Sequence, residues 1–257
     1  MTFPTPYPDV NTLLGELFGG MQAILGNCLV GLYLNGSLAL DDFDPEHSDI
    51  DFIAAIEKSP SGAMFDQLVD MHRHITYSGR PYATELEGSY FPLPALRRHD
   101  PVEAIFPNLE RGLTETLQLK EHHSDWVIQR HIVRESGIGL FGPPPETLID
   151  PVSPDELRQA TVDVLRFWWA TPAAIENIRL NSGYQVYSVQ TMCRSLYTLK
   201  HGSVASKRVA CQWASGEVPA KWSFLIQQAV QWQLGPETIE ETVDFIVYIL
   251  DVAGTNF

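Results

Sequence analysis

The first third of the chain alternates between helical and strand-like patterns of apolar residues. Apolar residues recur at helical spacing over residues 9–25, which predicts an amphipathic helix. Two short apolar runs follow, LVGLYL at 29–34 and DFIAAI at 51–56, and each is typical of a buried strand. Helical spacing returns over residues 64–75. The chain is therefore predicted to begin with a helix, two strands and a second helix.

The following segment is less regular and ends at a proline-rich boundary. Residues Tyr82–Tyr90 alternate well enough to predict a third strand, and we expect the chain from there to GLFG at 139–142 to be mostly helical. The sequence GPPPETLIDPVSPDEL then interrupts regular structure, because proline lacks the amide donor that helices and sheets need. It closes on a predicted helix start, with Ser153 as the N-cap of an S-x-x-E motif and Pro154 at the first helical position.

Beyond the boundary the pattern predicts only helices, at 154–170, 184–200, 204–214, 219–233 and 237–252. We therefore predict an α+β fold. A domain with a small mixed β-sheet spans residues 1–150, and an all-α helical-bundle domain spans residues 151–257.

Composition favours a cytoplasmic protein with no membrane segment. The longest apolar runs are too short to cross a bilayer, and the N-terminus lacks the basic start of a secretory signal. The three cysteines stand far apart with no CxxC pair, which argues against a disulfide framework and a zinc site.

Charge narrows the choice of partners. The chain has 17 basic and 32 acidic residues, a formal net charge of −15. Nucleic-acid binding needs a basic surface to replace the counterions on phosphates, so we expect no nucleic-acid partner. An acidic protein instead attracts cationic ligands, although acidity can also serve solubility alone.

The segment YLNGSLALDDFDPEHSDIDFIAAI at 33–56 carries the candidate chemistry. Gly36 allows the backbone to approach phosphate groups, and Ser37 adds a hydroxyl donor. Asp49 and Asp51 are at positions i and i+2 of a predicted strand, so both side chains lie on one face while Ile50 points into the core. Two carboxylates on one face are suitable ligands for Mg²⁺, and phosphoryl transfer from a nucleotide needs such a site.

Context makes this acidic pair more informative than a DxD motif alone. A buried apolar run follows directly, and carboxylates that lead into a core need a partner, most often a metal. Glu85 and Glu87 share one face of the predicted third strand, so either could complete a triad of carboxylates.

A GS pair followed by a DxD strand resembles the polymerase-β-type nucleotidyltransferases. The wider chain resembles the streptomycin/spectinomycin adenylyltransferases, a family of aminoglycoside adenylyltransferases. SGIGLFGPPPETLIDPV is similar to the family's domain junction, and TMCRSLYTLKHGSVASKRVACQWA at 191–214 is similar to its central helical stretch. The resemblance covers most of the chain from residue 30 to residue 235.

The resemblance implies ATP as a substrate, Mg²⁺ as a cofactor, and a role for each matching residue. Asp49, Asp51 and Glu87 match the metal ligands, and Glu87 also matches the general base. The residues that the motif and the resemblance together place on ATP are Gly36, Ser37, Ser48, Asp125, Arg194 and Lys207. Arg194 and Lys207 match basic residues that reach the phosphates from the helical domain.

The residues predicted to bind the acceptor differ from those at the same positions in the family's streptomycin enzymes. Tyr184 and Tyr187 stand where those enzymes have an aspartate and a polar residue, and a tryptophan of theirs has no obvious counterpart in FPNLERGLTETLQLKEHH. We predict that Glu85, Tyr184 and Tyr187 bind the acceptor. Streptomycin itself does not follow from the resemblance.

The combined prediction is a magnesium-dependent enzyme of antibiotic resistance. It would transfer AMP from ATP to a hydroxyl of a small cationic molecule, an aminoglycoside or aminocyclitol antibiotic. One alternative is an adenylyltransferase that modifies a protein side chain, and another is a non-catalytic nucleotide-binding regulator. The sequence leaves the oligomeric state open.

Overall fold

The chain folds into two compact units. A computed structural model describes residues 4–102 and 104–255. The first unit extends to Pro151 and contains the sheet, and the second begins at Val152 and is helical. Within the described residues, no helix is both long and apolar enough to cross a membrane.

The first unit combines six strands with five α-helices and two short 3-10 helices in the part of the chain that the structure describes. The strands are β1 (Leu29–Leu34), β2 (Ile50–Ile56), β3 (Leu86–Pro92), β4 (Ile105–Leu109), β5 (Gln118–Glu121) and β6 (Ile138–Phe141). The helices are α1 (Pro8–Leu25), α2 (Gly36–Ala39), α3 (Ala63–Thr76), α4 (Leu93–Arg97) and α5 (Asp125–Ser136).

The strands form one mixed sheet in the order β5-β4-β3-β2-β1-β6. Only the β2–β3 pair is parallel among the described pairings, and the other neighbours are antiparallel. The sheet and the helices after it confirm the predicted α+β class.

Alternation along β2 assigns each side chain to one of two cores. Ile50 and Phe52 lie in a core shared with α1 and α3. Ile53 lies in a second core, which includes Val133 from α5. Since successive strand residues point to opposite faces, Asp51 belongs to the α5 face.

Two predictions for the first unit need correction. The third strand begins at Leu86 rather than Tyr82, because Tyr82 has a positive φ of 62° and its carbonyl accepts a hydrogen bond from the amide of Glu85. Glu85 therefore precedes the strand. The segment predicted to be mostly helical contains β4, β5 and β6 beside α4 and α5. These strands have only four or five residues, so pairing across the sheet decides their structure rather than a local pattern.

The second unit is built from helices, as predicted. They are α6 (Pro154–Val164), a π-helical turn (Leu165–Trp169), α7 (Pro172–Leu180), α8 (Ser182–His201), α9 (Lys207–Glu217), α10 (Ser223–Val230) and α11 (Ile239–Val252). The predicted capping box is present, since Ser153 Oγ accepts from the Glu156 amide and Glu156 accepts from the Ser153 amide. The predicted helix 154–170 changes to the π-helical turn after Val164.

A buried histidine lies in the core between α3 and the sheet. His72 is 1% exposed, its Nε2 lies 2.7 Å from the Tyr90 hydroxyl, and its ring stacks on Phe52. Among the described residues, Nδ1 has no hydrogen-bond partner. Burial lowers the pKa of His72 from 6.5 to about 3, because the apolar surroundings disfavour the charged ring.

We predict that His72 makes folding sensitive to acid. Between pH 6.5 and about 3 the unfolded chain binds a proton at this position more readily than the folded chain does. The free energy of unfolding therefore decreases as the pH is lowered through this range. The slope approaches about 1.4 kcal/mol per pH unit for one such group. Urea denaturation at pH 7 and pH 5 should show a smaller loss in His72→Gln than in the wild type.

The exposed His74 on the same helix provides the matched control. His74→Gln should lose as much free energy of unfolding as the wild type between the two pH values. Equal losses in His72→Gln and the wild type would show that His72 is not the acid-sensitive group.

Candidate active site

The turn after β1 brings the main chain against a carboxylate of β2. Gly36 has a φ of +56°, and the Asn35 amide donates a 3.0 Å hydrogen bond to the Asp51 carbonyl oxygen. A Cβ atom at position 36 would lie 1.8 Å from Asp51 Oδ2. Glycine is therefore required here by the backbone conformation and by the space that the carboxylate occupies.

Carboxylates from two neighbouring strands meet on the α5 face of the sheet. Asp51 and Glu87 are direct partners in the parallel β2–β3 register. Asp49 precedes β2 by one residue, and the buried Ile50 separates it from Asp51 as predicted. The structure thus places Gly36, Asp49, Asp51 and Glu87 in one region of the first unit.

Glu87 is a buried carboxyl group with an altered acidity. Burial raises its pKa to about 7, and the negative charge of Asp49 acts in the same direction. The positive charges of Arg111 and Lys120 oppose this rise in pKa, and so does the main-chain amide of Arg111. A bound divalent cation would favour the ionised form of this group.

The predicted metal ligands are three carboxylates. Among residues 4–102 and 104–255, no group of three or more histidine, cysteine, aspartate or glutamate side chains is arranged to hold a metal ion. The assignment of Asp49, Asp51 and Glu87 as ligands therefore remains a prediction. In favour of it, the donor set offers the hard oxygen ligands that Mg²⁺ prefers, with Asp51 and Glu87 on adjacent strands and Asp49 just before β2.

Two cations of the site were missed by the sequence analysis. Arg111 Nη1 lies 3.7 Å from Asp49 Oδ2 and 3.7 Å from Glu85 Oε2. Lys120 on β5 forms an ion pair with Glu110. Both cations lie in the segment that was expected to be mostly helical, and the short apolar run before Glu110 was the available signal for a strand.

The two predicted serines differ in their surroundings. Ser37 Oγ is buried and has no hydrogen-bond partner among the described residues, as expected for a group that contacts a ligand. Ser48 Oγ accepts a 2.9 Å hydrogen bond from the Asp44 amide, within a turn that also joins the Ser48 amide to the Asp44 carbonyl. The hydroxyl of Ser48 therefore helps to fold the loop that leads into Asp49.

Asp125 begins α5, the helix that lies beside the Gly36 turn. Gln129, one helical turn later on the same face, accepts a 2.5 Å hydrogen bond from Asn35 Nδ2. Burial raises the pKa of Asp125. This position agrees with the prediction that Asp125 lies near the nucleotide, which remains a prediction.

The predicted cations of the second unit lie on α8 and α9. Arg194 is half-buried on α8, and Lys207 is the first residue of α9, where Ser206 is the N-cap. Within the described residues, neither forms a salt bridge with a carboxylate. Both cations are thus available for an anionic ligand, and their role as phosphate ligands remains a prediction.

The two predicted acceptor residues of the second unit belong to an aromatic cluster. Tyr184 and Tyr187 on α8 lie with their ring centroids 5.7 Å apart. Trp169, in the π-helical turn, lies 5.7 Å from Tyr184 and 5.8 Å from Tyr187. Tyr187 is 45% exposed, so the cluster offers aromatic surface to solvent.

Comparison with known proteins identifies relatives of both units. Residues 147–246 match the family model described as aminoglycoside adenylyltransferase, C-terminal domain. An aminoglycoside (3'') (9) adenylyltransferase of Shigella flexneri is 27% identical over 94% of each chain. A spectinomycin 9-adenylyltransferase of Staphylococcus aureus is 28% identical over 87% of this chain and 83% of its own.

A solved structure has the same fold. It is a spectinomycin adenyltransferase from Enterococcus faecialis with ATP and spectinomycin, which is similar with a TM-score of 0.76 and 19% sequence identity. The similarity covers 95% of this chain and 98% of that one. The fold is therefore shared over nearly the full length of both chains.

We predict that Gly36→Ala disables the site at a modest cost in stability. A left-handed backbone costs an alanine about 1–2 kcal/mol, and the new methyl group would force the Asp51 carboxylate to rotate away. In thermal denaturation, the free energy of unfolding should decrease only by this backbone cost. In isothermal titration calorimetry, the variant should no longer bind Mg²⁺–ATP. Gly62→Ala is the matched control, since Gly62 has a φ of +54° with open space around it. Equal nucleotide binding by both variants would contradict the importance of this close approach.

Proposed function

Because the chain belongs to the aminoglycoside adenylyltransferase family and is a nucleotidyltransferase, we propose that it transfers AMP from ATP to a hydroxyl of an aminoglycoside or aminocyclitol antibiotic. The observation that carries the proposal is the close approach of Gly36 to Asp51, with Glu87 as the register partner of Asp51. Relatives named for this activity support it over most of the chain.

The cofactor that we propose is Mg²⁺, held by Asp49 and Asp51 with Glu87 beside them. Carboxylate oxygens are ligands that Mg²⁺ prefers, and Asp51 and Glu87 come from adjacent strands. When bound, Mg²⁺ would neutralise negative charge on the phosphates of ATP during transfer. ATP is also the nucleotide named with the related Enterococcus structure.

The residues of this chain would then act on ATP and the acceptor in turn. The main chain at Gly36 binds the triphosphate together with the Ser37 hydroxyl, which has no hydrogen-bond partner among the described residues. Glu87 takes the proton of the acceptor hydroxyl, whose oxygen forms a bond to the α-phosphorus. The bond between the α-phosphorus and the bridging oxygen breaks, and pyrophosphate leaves. Arg194 and Lys207 stabilise the charge that develops on it.

The acceptor that we propose is cationic and carries a ring with hydroxyl groups. The net charge of −15 attracts such a molecule, and the carboxylates of the first unit add local negative charge. Tyr184, Tyr187 and Trp169 provide aromatic faces against which a cationic ring compound could pack. Relatives named for spectinomycin make this aminocyclitol the first acceptor to test.

Mass spectrometry tests the proposed function. The purified protein is incubated with Mg²⁺–ATP and spectinomycin, streptomycin or other aminoglycosides, and separately with a cell lysate. A gain of one AMP by a small molecule, absent in Asp49→Asn, is the expected result. A gain of AMP by a protein would replace the antibiotic with a protein acceptor, and no gain in any sample would contradict an AMP transferase.

The general base can be identified by comparing two glutamates. Glu87→Gln should bind ATP but lower the transfer rate by roughly 10²–10⁴, because an amide cannot accept the hydroxyl proton. Glu85→Gln should lose far less at saturating Mg²⁺ and ATP, since Glu85 lies outside β3 and its carboxylate contacts Thr84 and Arg111. Single-turnover transfer rates measure both effects. The opposite ranking would assign the base to Glu85.

Lys207 tests the contribution of the second unit. Lys207→Ala should raise the ATP concentration needed for half-maximal transfer and slow the reaction, because a cation near the leaving pyrophosphate is lost. Lys207→Arg should recover part of the loss. Lys200→Ala, which removes an exposed lysine of α8, should behave as the wild type in the same ATP titrations. If Lys207→Ala also matched the wild type, Lys207 would not contact the nucleotide.

A further inference from the structure

Arg111 occupies a position that the proposed function does not use. Its guanidinium lies equally far, 3.7 Å, from a carboxylate oxygen of Asp49 and from one of Glu85. We propose that Arg111 competes with the divalent cation for Asp49, and that Glu85 holds the guanidinium when the cation binds. This inference rests on the proposed magnesium site at Asp49 and Asp51.

The contact between Arg111 and Asp49 is suited to exchange. A distance of 3.7 Å is longer than a hydrogen bond, so attraction between the charges holds the pair without a fixed bonding geometry. The Arg111 side chain is 49% exposed, whereas that of Asp49 is 24% exposed. The guanidinium can therefore leave toward solvent at little cost, while Asp49 remains at the site.

The main chain of Arg111 is held independently of its side chain. The amide of the next residue, Gly112, donates a 2.8 Å hydrogen bond to the Thr84 carbonyl oxygen. This bond fixes the segment after β4 beside the carboxylates, so a movement of the guanidinium does not require movement of the backbone. The side chain can thus change partners within a fixed loop.

Glu85 is arranged as the second partner. Its Oε1 accepts a 2.9 Å hydrogen bond from Thr84 Oγ1, and its Oε2 faces Arg111. The main chain of Glu85 is held against the start of β2, since the Glu85 carbonyl accepts a 2.8 Å hydrogen bond from the Ile50 amide. Glu85 therefore presents one oriented oxygen to the guanidinium.

Arg111 thus acts on metal affinity through Asp49. A cation that neutralises Asp49 must be displaced before a divalent ion gains the full charge of that carboxylate. Glu85 offsets part of this cost by offering the guanidinium another carboxylate. Removing Arg111 and removing Glu85 should then change metal affinity in opposite directions.

Binding of Mn²⁺ to the nucleotide-free protein tests the inference without a measurement of activity. Free Mn²⁺ is followed by electron paramagnetic resonance in titrations of the wild type and Arg111→Gln. Arg111→Gln should bind Mn²⁺ about 2–5-fold more tightly, the range expected for loss of one exposed ion pair. Arg97→Gln removes an equally exposed arginine that pairs with Asp150, and it should bind as the wild type. Circular dichroism confirms that the variants are folded.

A double-mutant cycle separates the exchange from a general effect of charge. Glu85→Gln should weaken Mn²⁺ binding, and the weakening should be at least about twofold larger when Arg111 is present than in the Arg111→Gln background. An equal effect in both backgrounds would overturn the role of Glu85. Unchanged or weaker binding by Arg111→Gln would overturn the competition, even where Asp49→Asn abolishes binding and so supports the metal site. Binding that survives in Asp49→Asn would instead refute the proposed metal site together with this inference.

Discussion

The close approach of Gly36 to Asp51 is the constraint on which the site depends. The carboxylate occupies the space of a Cβ atom, and the hydrogen bond from the Asn35 amide to the Asp51 carbonyl fixes the turn against β2. The parallel register with β3 then sets Glu87 beside Asp51. The Gly36 turn and a set of carboxylates are thus brought together by one glycine and one strand pairing.

Electrostatics decides what this arrangement can do. Burial and the neighbouring Asp49 raise the pKa of Glu87 to about 7, so a nearby positive charge favours the ionised form of Glu87. Arg111 and Lys120 supply part of that charge from the segment after β3. The proposed binding of a divalent ion and an anionic nucleotide depends on this balance between carboxylates and cations.

Much of the fold and part of the site could be predicted from the sequence. The elements with strong local patterns, α1, β1, β2, α3 and most helices of the second unit, formed where the periodicity placed them. The strands β4, β5 and β6 were missed because they are short and depend on partners far along the chain. The position of Asp51 followed from strand alternation, whereas that of Arg111 depends on a loop whose course only the tertiary structure determines. The start of β3 was misplaced for a similar reason, since a turn with positive φ at Tyr82 ends the apparent alternation.

The most direct test is the position of the metal in a crystal of the protein with a non-hydrolysable ATP analogue and Mn²⁺. Anomalous scattering locates Mn²⁺ independently of any assumption about its ligands. We expect the ion roughly 2.0–2.2 Å from carboxylate oxygens of both Asp49 and Asp51, with the triphosphate against Gly36 and Ser37. A metal held by other residues, or a triphosphate bound away from the Gly36 turn, would contradict the account.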